Sequence, residues 1–449
     1  MKMHDTVKEH AIGIVKRLDD AGFKALFAGG AVRDMVLGVE PKDYDIVTNA
    51  SLEDIERLFD HIIPVGKQFG VCRVIVEGVP FEVAEFRKDG VYEDGRRPLS
   101  IETADEVEDT QRRDFTINAL LYDPIRDEIL DYVDGVNDIK RRVLRTVGEP
   151  DERFDEDRLR MLRAIRFAAR LSLSIETSTE RSIRELAPAV LSVSAERIGE
   201  ELSKVVSGPN AGRGLRLLDE TGLLRVVLPE VNALKGVDQP PQFHPEGDVF
   251  KHTCLMLDMF NEGTETLAFG ILMHDIAKPE TYTVSDRIRF TRHEAVGEEM
   301  AGRILKRLCL SNATVSRVQW LVRSHMKFVN VKKMKRSKLL RFILDDGIGE
   351  LLELHRLDCL SSHNRLDNYD FVKQVLSEEK TNNQKLALPT PLITGKDLIE
   401  LGYEPGPAFG IMLRSVEDKQ LDGELVSRKA AIDFVQREFS QQDNPHPPI

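Results

Sequence analysis

The chain has 449 residues, enough for two or more domains with substantial cores, and its 41% hydrophobic and 31% charged content fits an ordinary soluble protein rather than extended disorder. No apolar run approaches the roughly 20 residues that cross a bilayer, and Met1 to His10 is polar rather than signal-like, so a cytoplasmic protein is expected. Four scattered cysteines exclude a disulfide framework or a cysteine zinc site, and a net charge of −13 excludes a uniformly basic nucleic-acid binder.

From Met3 to Gly22 apolar residues recur at helical spacing. Short apolar runs follow at Leu26 to Ala28, Tyr44 to Thr48, Val71 to Val76 and Phe81 to Phe86, and read as strands, with helices over Ala31 to Leu37 and Leu52 to Phe59 between them. The alternation predicts an α/β domain over about the first 150 residues. Beyond Glu156 the pattern turns helical, in Asp157 to Leu171, Thr179 to Leu186, Ala195 to Val206, Arg213 to Glu220 and most later segments. Pro240-Pro241 and Pro389 to Pro391 mark joints, Gln441 to Ile449 reads as a disordered tail, and no internal repeat is visible. Local positive charge gathers at Lys140-Arg141-Arg142 and from Lys332 to Lys338, either as a solvated helix face or as part of a positive groove.

Chemistry-bearing residues concentrate near the N-terminus. Asp43-Tyr44-Asp45 stands at the start of a strand, where the period of two sends both carboxylates to one face and Tyr44 to the other. Paired carboxylates suit a hard cation such as Mg²⁺, although Asp-x-Asp alone also occurs in turns and strand ends. Gly29-Gly30 between a strand and a helix lets backbone N–H groups approach a phosphate, and Arg33 adds charge there. A third carboxylate, Glu82, alternates with Phe81 and Val83 on a later strand, as a further ligand or as an exposed strand residue.

Taken together, Gly29-Gly30-x-x-Arg33-Asp34, Asp43-x-Asp45, Arg112-Arg113-Asp114-Phe115-Thr116-Ile117-Asn118-Ala119 and Glu156-Asp157-x-x-Arg160 resemble the ordered motifs of the tRNA nucleotidyltransferase family, which also includes bacterial poly(A) polymerases. The resemblance covers the first ~200 residues and implies a polymerase-β-like head, with Asp43 and Asp45 holding two metal ions, Mg²⁺ by preference, and Glu82 beside them. It implies nucleotide contacts from Gly29, Gly30, Arg33, Asp34, Arg113, Asp114, Asn118, Glu156, Asp157, Arg160 and Arg163, with Asp114 accepting from the ribose 2′-hydroxyl. Asp114 and Asn118 are expected on one helix face at i, i+4, with a helix cap as the other reading of Asp114.

In this family Asp157 and Arg160 act as an amino-acid template. Cytosine and adenine each offer an amino donor beside a ring-nitrogen acceptor, so a carboxylate plus a guanidinium satisfies either, whereas uracil and guanine present the opposite order. Spacing places the two residues on one helix face, where an intrahelical salt bridge is the rival reading. The charged, glycine-rich stretch from Arg87 to Pro98 resembles the family's flexible loop and favours an enzyme able to add the terminal A. Val65 to Val71 lacks the basic and histidine residues that mark the poly(A) polymerase branch.

A second constellation lies further on. His252 sits in an amphipathic segment, the apolar run Leu267 to Met273 leads into His274-Asp275, and Asp358 follows on a later helix. These residues resemble the H…HD…D pattern of HD metal-dependent phosphohydrolases, in which imidazoles and carboxylates hold a transition metal that activates water, and His293 and His325 are candidates for a second metal position. A relic site or satisfied core histidines is the alternative.

The expected architecture is an α/β polymerase-β-like nucleotidyltransferase head (1–147) followed by an all-α neck and body (148–240), an HD-type helical region (241–365) and a helical tail (366–449). The expected activity is addition of C and A residues from CTP and ATP to the tRNA 3′ end. A partial adder, a poly(A) polymerase or an HD phosphohydrolase acting on RNA ends or nucleotides are the rivals.

Overall fold

The structure is a computed structural model and describes residues 3–66, 70–89, 101–261, 263–382 and 389–439. Most of the loop expected from Arg87 to Pro98 (residues 90–98), part of the Val65 to Val71 segment (67–69) and the tail 441–449 lie outside the described residues. The chain divides into two compact units. One comprises Met1–Gly236, Thr253–Phe269 and Arg303–Asn312, the other Val237–His252, Gly270–Gly302 and Ala313–Ile449.

The first unit begins with helix α1 (Met3–Asp20), strand β1 (Ala25–Ala28), α2 (Gly30–Val36), β2 (Asp45–Thr48), α3 (Leu52–Leu58), β3 (Ile62–Gly66), β4 (Val71–Val76) and β5 (Val79–Glu85). It continues through β6 (Arg87–Asp89), β7 (Ile101–Thr103), α4 (Glu106–Gln111), a 3₁₀ turn (Thr116–Asn118), β8 (Leu121–Asp123), β9 (Glu128–Leu130) and α5 (Gly135–Arg141). Seven strands form one sheet in the order β3-β4-β5-β2-β1-β8-β9, in which only the β2–β5 pair runs parallel. β2 lies near the middle, which explains its unbroken apolar run: Ile46 and Val47 are both buried, Val47 against Leu26, Ala28, Phe86 and Leu121. A capping box on Ser51 and Asp54 starts α3 immediately after β2.

Register fixes what the sheet presents. Asp45 pairs with Ala28, so the first carboxylate residue of β2 stands beside the strand end that runs into Gly29-Gly30. Gly29 has φ +68°, a conformation that favours glycine. On the far side, α5 crosses the 3₁₀ turn so closely that a Cβ on Gly135 would stand 2.2 Å from the Thr116 carbonyl oxygen. Asp138 of α5 accepts a 2.6 Å hydrogen bond from the Thr116 hydroxyl. Gly135→Ala is therefore expected to destabilise the unit by about 1–3 kcal/mol through overpacking. Thermal unfolding checks this, and an unchanged Tm would mean that α5 gives way freely.

The chain continues through β10 (Val143–Leu144), α6 (Pro150–Glu156), α7 (Arg160–Arg170), β11 (Ser174–Ile175), α8 (Thr177–Leu186), α9 (Ala195–Val206), α10 (Ala211–Glu220), α11 (Leu223–Val227) and α12 (Pro229–Asn232). In α7 the buried residues Met161, Leu162, Ala164, Ile165 and Ala168 recur at three- and four-residue spacing and pack against α9 and α10. The remaining helices are α13 (Val249–Met259), α14 (Glu265–Met273), α15 (Lys278–Thr281), α16 (His293–Arg307), α17 (Asn312–Ser324), α18 (Arg336–Ile343), α19 (Ile348–Ser361), α20 (Asp367–Asn382), α21 (Gly395–Glu400), α22 (Pro407–Leu421) and α23 (Arg428–Glu438). Two small ladders reach into the region expected to be all-helical: β11 pairs with β10 from the expected head, and a hairpin joins β12 (Tyr282–Val284) to β13 (Ile288–Phe290). The hairpin is exposed along β12, so it left no buried alternation to find.

Candidate active site and a buried histidine centre

Asp43 and Asp45 are exposed while Tyr44 between them is buried, its ring centroid 5.1 Å from that of Phe27. Glu82 occupies β5, between buried Phe81 and Val83, and Val83 pairs with Ile46, the residue after Asp45. The Asp45 carboxyl is held above the ordinary carboxylate value, first by partial desolvation and then by the charge of Glu82, with Arg113 opposing and Asp43 adding to the rise. Mutual repulsion of this kind is what a divalent cation relieves, and oxygen donors on a strand edge suit Mg²⁺. Among the described residues, groups of three metal-donor side chains with ligand atoms within 4.8 Å of one another lie elsewhere, so these three carboxylates are more widely spaced.

Arg33, Asp34, Asn118, Asp114 and Arg163, all expected to meet the nucleotide, form a connected chain. Arg33, buried on α2, donates from Nη1 to Asn118 Oδ1 (2.7 Å) and through Nε and Nη2 to Asp34 Oδ1 (2.9 and 2.7 Å). Asn118 Nδ2 donates to Asp114 Oδ1 (3.2 Å), and Asp114 Oδ2 receives Nε and Nη2 of Arg163 on α7 (2.9 and 2.6 Å). Asp114 and Asn118 thus meet as expected, but without the expected α-helix: Asn118 ends a 3₁₀ turn, which Phe115 rather than Asp114 precedes as cap. Asp114 instead uses one oxygen to accept from the Phe115 backbone N–H at 2.8 Å. Arg33 and Arg163 both approach the ring of Phe167, at 5.6 and 5.5 Å.

Asp157 and Arg160 do not share a helix. α6 ends at Glu156, Asp157 is extended (φ −146°, ψ 102°), and α7 starts at Arg160. The cause is local: Asp157 Oδ1 accepts from Leu159 N (3.1 Å), a turn that competes with helix continuation. Asp157 pairs with Arg197 (2.7 Å), and Arg160 pairs with Glu156 and donates to the Arg153 carbonyl (2.9 Å), so the rival salt bridge between Asp157 and Arg160 is not formed.

One anchor escaped the sequence reading. Asp109, with a fully buried side chain, receives Arg112 on Oδ1 (2.6 Å) and Arg113 on Oδ2 (2.8 Å), and so fixes both arginines of the motif. Lying in the acidic stretch from Glu106 to Asp109, it reads like a solvated first helical turn.

In the second unit, four imidazoles converge. His252 (α13), His274 (after α14), His293 (α16) and His325 (after α17) are all buried, with Asp275 between them and Asp358 on α19. Each Nδ1 faces an acceptor: Glu246 Oε1 at 2.7 Å, Ile271 O at 2.8 Å, Phe290 O at 2.9 Å and Val322 O at 2.7 Å. Acceptors on every Nδ1 hold a proton there and aim every Nε2 inward, where its lone pair serves a metal once any second proton has left. Asp358 stands 3.2 Å from His252 Nε2, and Asp275 stands 3.0 Å from His274 Nε2 and 3.4 Å from His293 Nε2, whose own distance to His325 Nε2 is 3.1 Å. His252 Nε2 and His274 Nε2 are buried without a well-aligned hydrogen bond among the described residues. Inward lone pairs beside two carboxylates fit a divalent transition metal. Burial, and then the proximity of His293 and His274, push His325 down to about 3. His252 resists burial through Asp358 and Glu246 and is pushed up to about 9.

Sequence reading missed four neighbours of this centre. His244 Nδ1 lies 2.9 Å from Glu246 Oε1, the oxygen that also receives His252, and Lys278 Nζ lies 2.6 Å from both Asp275 Oδ2 and Gln239 Oε1. The signal was available, since His244-Pro245-Glu246 precedes His252 by a short turn and Lys278 follows Asp275 at i+3. The basic 332–338 run also has a structural role. Lys335 and Lys338 line a recess of about 580 Å³ together with Lys327, Arg341, Arg414, Trp320, Asp345 and Asp418, a lining in which basic side chains outnumber acidic ones and Arg341 is paired with Asp418.

Residues 25–145 match the Poly A polymerase head domain and residues 290–435 match tRNA nucleotidyltransferase domain 2. A CCA-adding enzyme of Ligilactobacillus salivarius is 30% identical over 425 residues, 93% of each chain. The chain belongs to the CCA-adding enzyme family. The CCA-adding enzyme of Geobacillus stearothermophilus is 44% identical over 216 residues, and in that match the chain spans about half the length of its relative (48% of this chain, 53% of the other). A crystal structure of the Bacillus stearothermophilus CCA-adding enzyme in complex with CTP is similar over 99% of this chain and 100% of that one, with a TM-score of 0.76 and 26% identity. The α/β head followed by a largely helical remainder is accordingly the fold of this family.

Two buried carboxylates of this family member make its stability acid-sensitive. Burial alone would raise Asp109 and Asp114, but Arg113 and Arg112 around the first and Arg163 and Asn118 around the second outweigh it, and both are held below the ordinary value. Their folded pKa values are depressed, so the stabilisation is complete above the unfolded value of about 4 and is lost as pH falls through the folded values. Denaturant unfolding from pH 7 to pH 3 is expected to show this loss, with a flatter acid limb for Asp109→Asn. An equally steep limb in that variant would remove Asp109 from the account.

Proposed function

We propose that this protein adds C and A residues to the 3′ end of tRNA, taking CTP and ATP and releasing pyrophosphate, in the cytoplasm. The observation that carries the proposal is the pair Asp43 and Asp45, exposed on either side of buried Tyr44, with Asp45 opening a central strand opposite Ala28, the residue before Gly29-Gly30. Asp43 and Asp45, with Glu82 nearby, would hold Mg²⁺, which supplies charge neutralisation and lowers the pKa of the attacking hydroxyl in phosphoryl transfer.

The chain's own groups do the positioning. Gly29 and Gly30 leave room for the triphosphate, and Arg33 and Arg113 offset its charge from fixed anchors on Asp34 and Asp109. Asp114, steadied by Arg163 and Asn118, accepts from the ribose 2′-hydroxyl. Asp157 and Arg160, on separate backbone segments and each with its own protein partner, offer an acceptor and a donor fork to the base edge, with Glu156 steadying Arg160. Division into head, neck and body, HD-type region and tail belongs to the same proposal. Exposure of a tRNA ending at its discriminator base to Mg²⁺, CTP and ATP tests it by intact mass: growth by two cytidylates and one adenylate is expected, and incorporation of UMP, or none at all, would refute it.

A second centre is favoured by one specific observation, the four Nδ1-locked imidazoles whose Nε2 atoms converge on Asp275 and Asp358. His252, His274, Asp275 and Asp358, with His293 and His325, would hold a divalent transition metal, which supplies activation of water toward a phosphoester.

A further inference from the structure

The four imidazoles are not held alike. His274, His293 and His325 each give Nδ1–H to the main-chain carbonyl three residues earlier, Ile271, Phe290 and Val322. His252 alone faces a side-chain carboxylate, Glu246 Oε1 at 2.7 Å, and the same oxygen takes His244 Nδ1 at 2.9 Å. The His244 ring stands edge-on to His252, with centroids 4.9 Å apart and planes at 84°. Glu246 is itself largely buried, with 7% of its side chain exposed, so the carboxylate is fixed by two imidazole donors rather than by solvent.

A charged acceptor does more for a metal ligand than a carbonyl does. It fixes the Nδ1–H tautomer, holds the ring plane, and pushes electron density toward the opposite nitrogen, strengthening that nitrogen as a donor. His252 Nε2 points toward Asp358, whereas the His293 and His325 Nε2 atoms meet near Asp275 Oδ1.

We propose that Glu246 is a positioning residue for this centre: through His252 it sets the affinity for a divalent transition metal at the position formed by His252, His274, Asp275 and Asp358, while His293 and His325 bind independently of it. His244, as the second donor, holds the Glu246 carboxylate in place. The inference rests on the metal reading of the centre.

The test uses the full chain, stripped with chelator and titrated with Co²⁺, with calorimetry for affinity and visible absorption for coordination. Glu246→Gln keeps the shape and removes the charge, and thermal unfolding before loading verifies its fold. A roughly 10- to 100-fold weaker affinity for one Co²⁺ equivalent, with a changed absorption band, is expected. His244→Asn is expected to weaken the same equivalent less, and His325→Ala to remove a different equivalent while leaving the Glu246-dependent one. Wild-type uptake with unchanged affinity and spectrum in Glu246→Gln overturns this inference alone. A wild-type chain that takes up no Co²⁺ overturns the metal reading and the inference together.

Discussion

Asp45→Ala is expected to lower the rate of nucleotide incorporation by roughly a thousandfold or more while tRNA affinity changes little, because removing a group that stabilises charge only as the phosphoryl moves acts on the chemical step. The structure sharpens the expectation. Asp45 projects from a strand whose next residues, Ile46 and Val47, are fixed in the core, so losing its side chain leaves the sheet intact. Burial first, then Glu82 and Asp43 against an opposing Arg113, disfavour its charged form, so truncation removes that cost and the variant is expected to be at least as stable as the parent. Filter binding, single-turnover incorporation and thermal unfolding together check this. Lost tRNA binding with retained chemistry would contradict the role given to Asp45.

Arg160→Ala is expected to blur base choice. Discrimination for CTP and ATP against UTP should fall roughly ten- to a hundredfold, the scale on which an unmatched polar partner at a buried site rejects the wrong group. Arg160 also ties α7 to the end of α6 through Glu156 and the Arg153 carbonyl, so the alanine variant loosens that junction too. Arg160→Lys separates the effects, because a lysine keeps the charge but lacks the planar fork. If the template role holds, selectivity stays degraded in the lysine variant while stability recovers. Selectivity that survives both substitutions would assign the choice of base to other residues.

How far the sequence could be read depended on the physical signal. The alternation of Asp43 and Asp45 around Tyr44 was legible, since one apolar residue between two acids is buried while its neighbours stay exposed. Strand β3 was not, since Pro64 interrupts it and its residues lie exposed at the sheet edge. The helix break at Asp157 was hidden because the apolar period continues on either side of it; the deciding bond, Asp157 Oδ1 with Leu159 N, is a local side-chain competition that periodicity does not register. Asp114 and Asn118 were correctly paired through the wrong element, since a 3₁₀ turn also brings residues four apart within reach after an extended residue. Asp109 and Glu246 were passed over for a shared reason: an acidic residue in a polar stretch reads as solvated, and tertiary packing is what brings it to two arginines or two histidines. Convergence of His252, His274, Asp275 and Asp358 was legible as a pattern, while the inward direction of their lone pairs required the acceptors on each Nδ1.

The most direct measurement offers the purified protein Mg²⁺, CTP and ATP with three tRNAs, ending at the discriminator base, after one C, and after CC, with products sized on a gel. The account predicts that all three grow to the same CCA end and stop. Extension of the CC-ended tRNA alone, arrest of the others at CC, or long adenylate tails would each contradict it, pointing respectively to an A-adding enzyme, a CC-adding enzyme and a poly(A) polymerase.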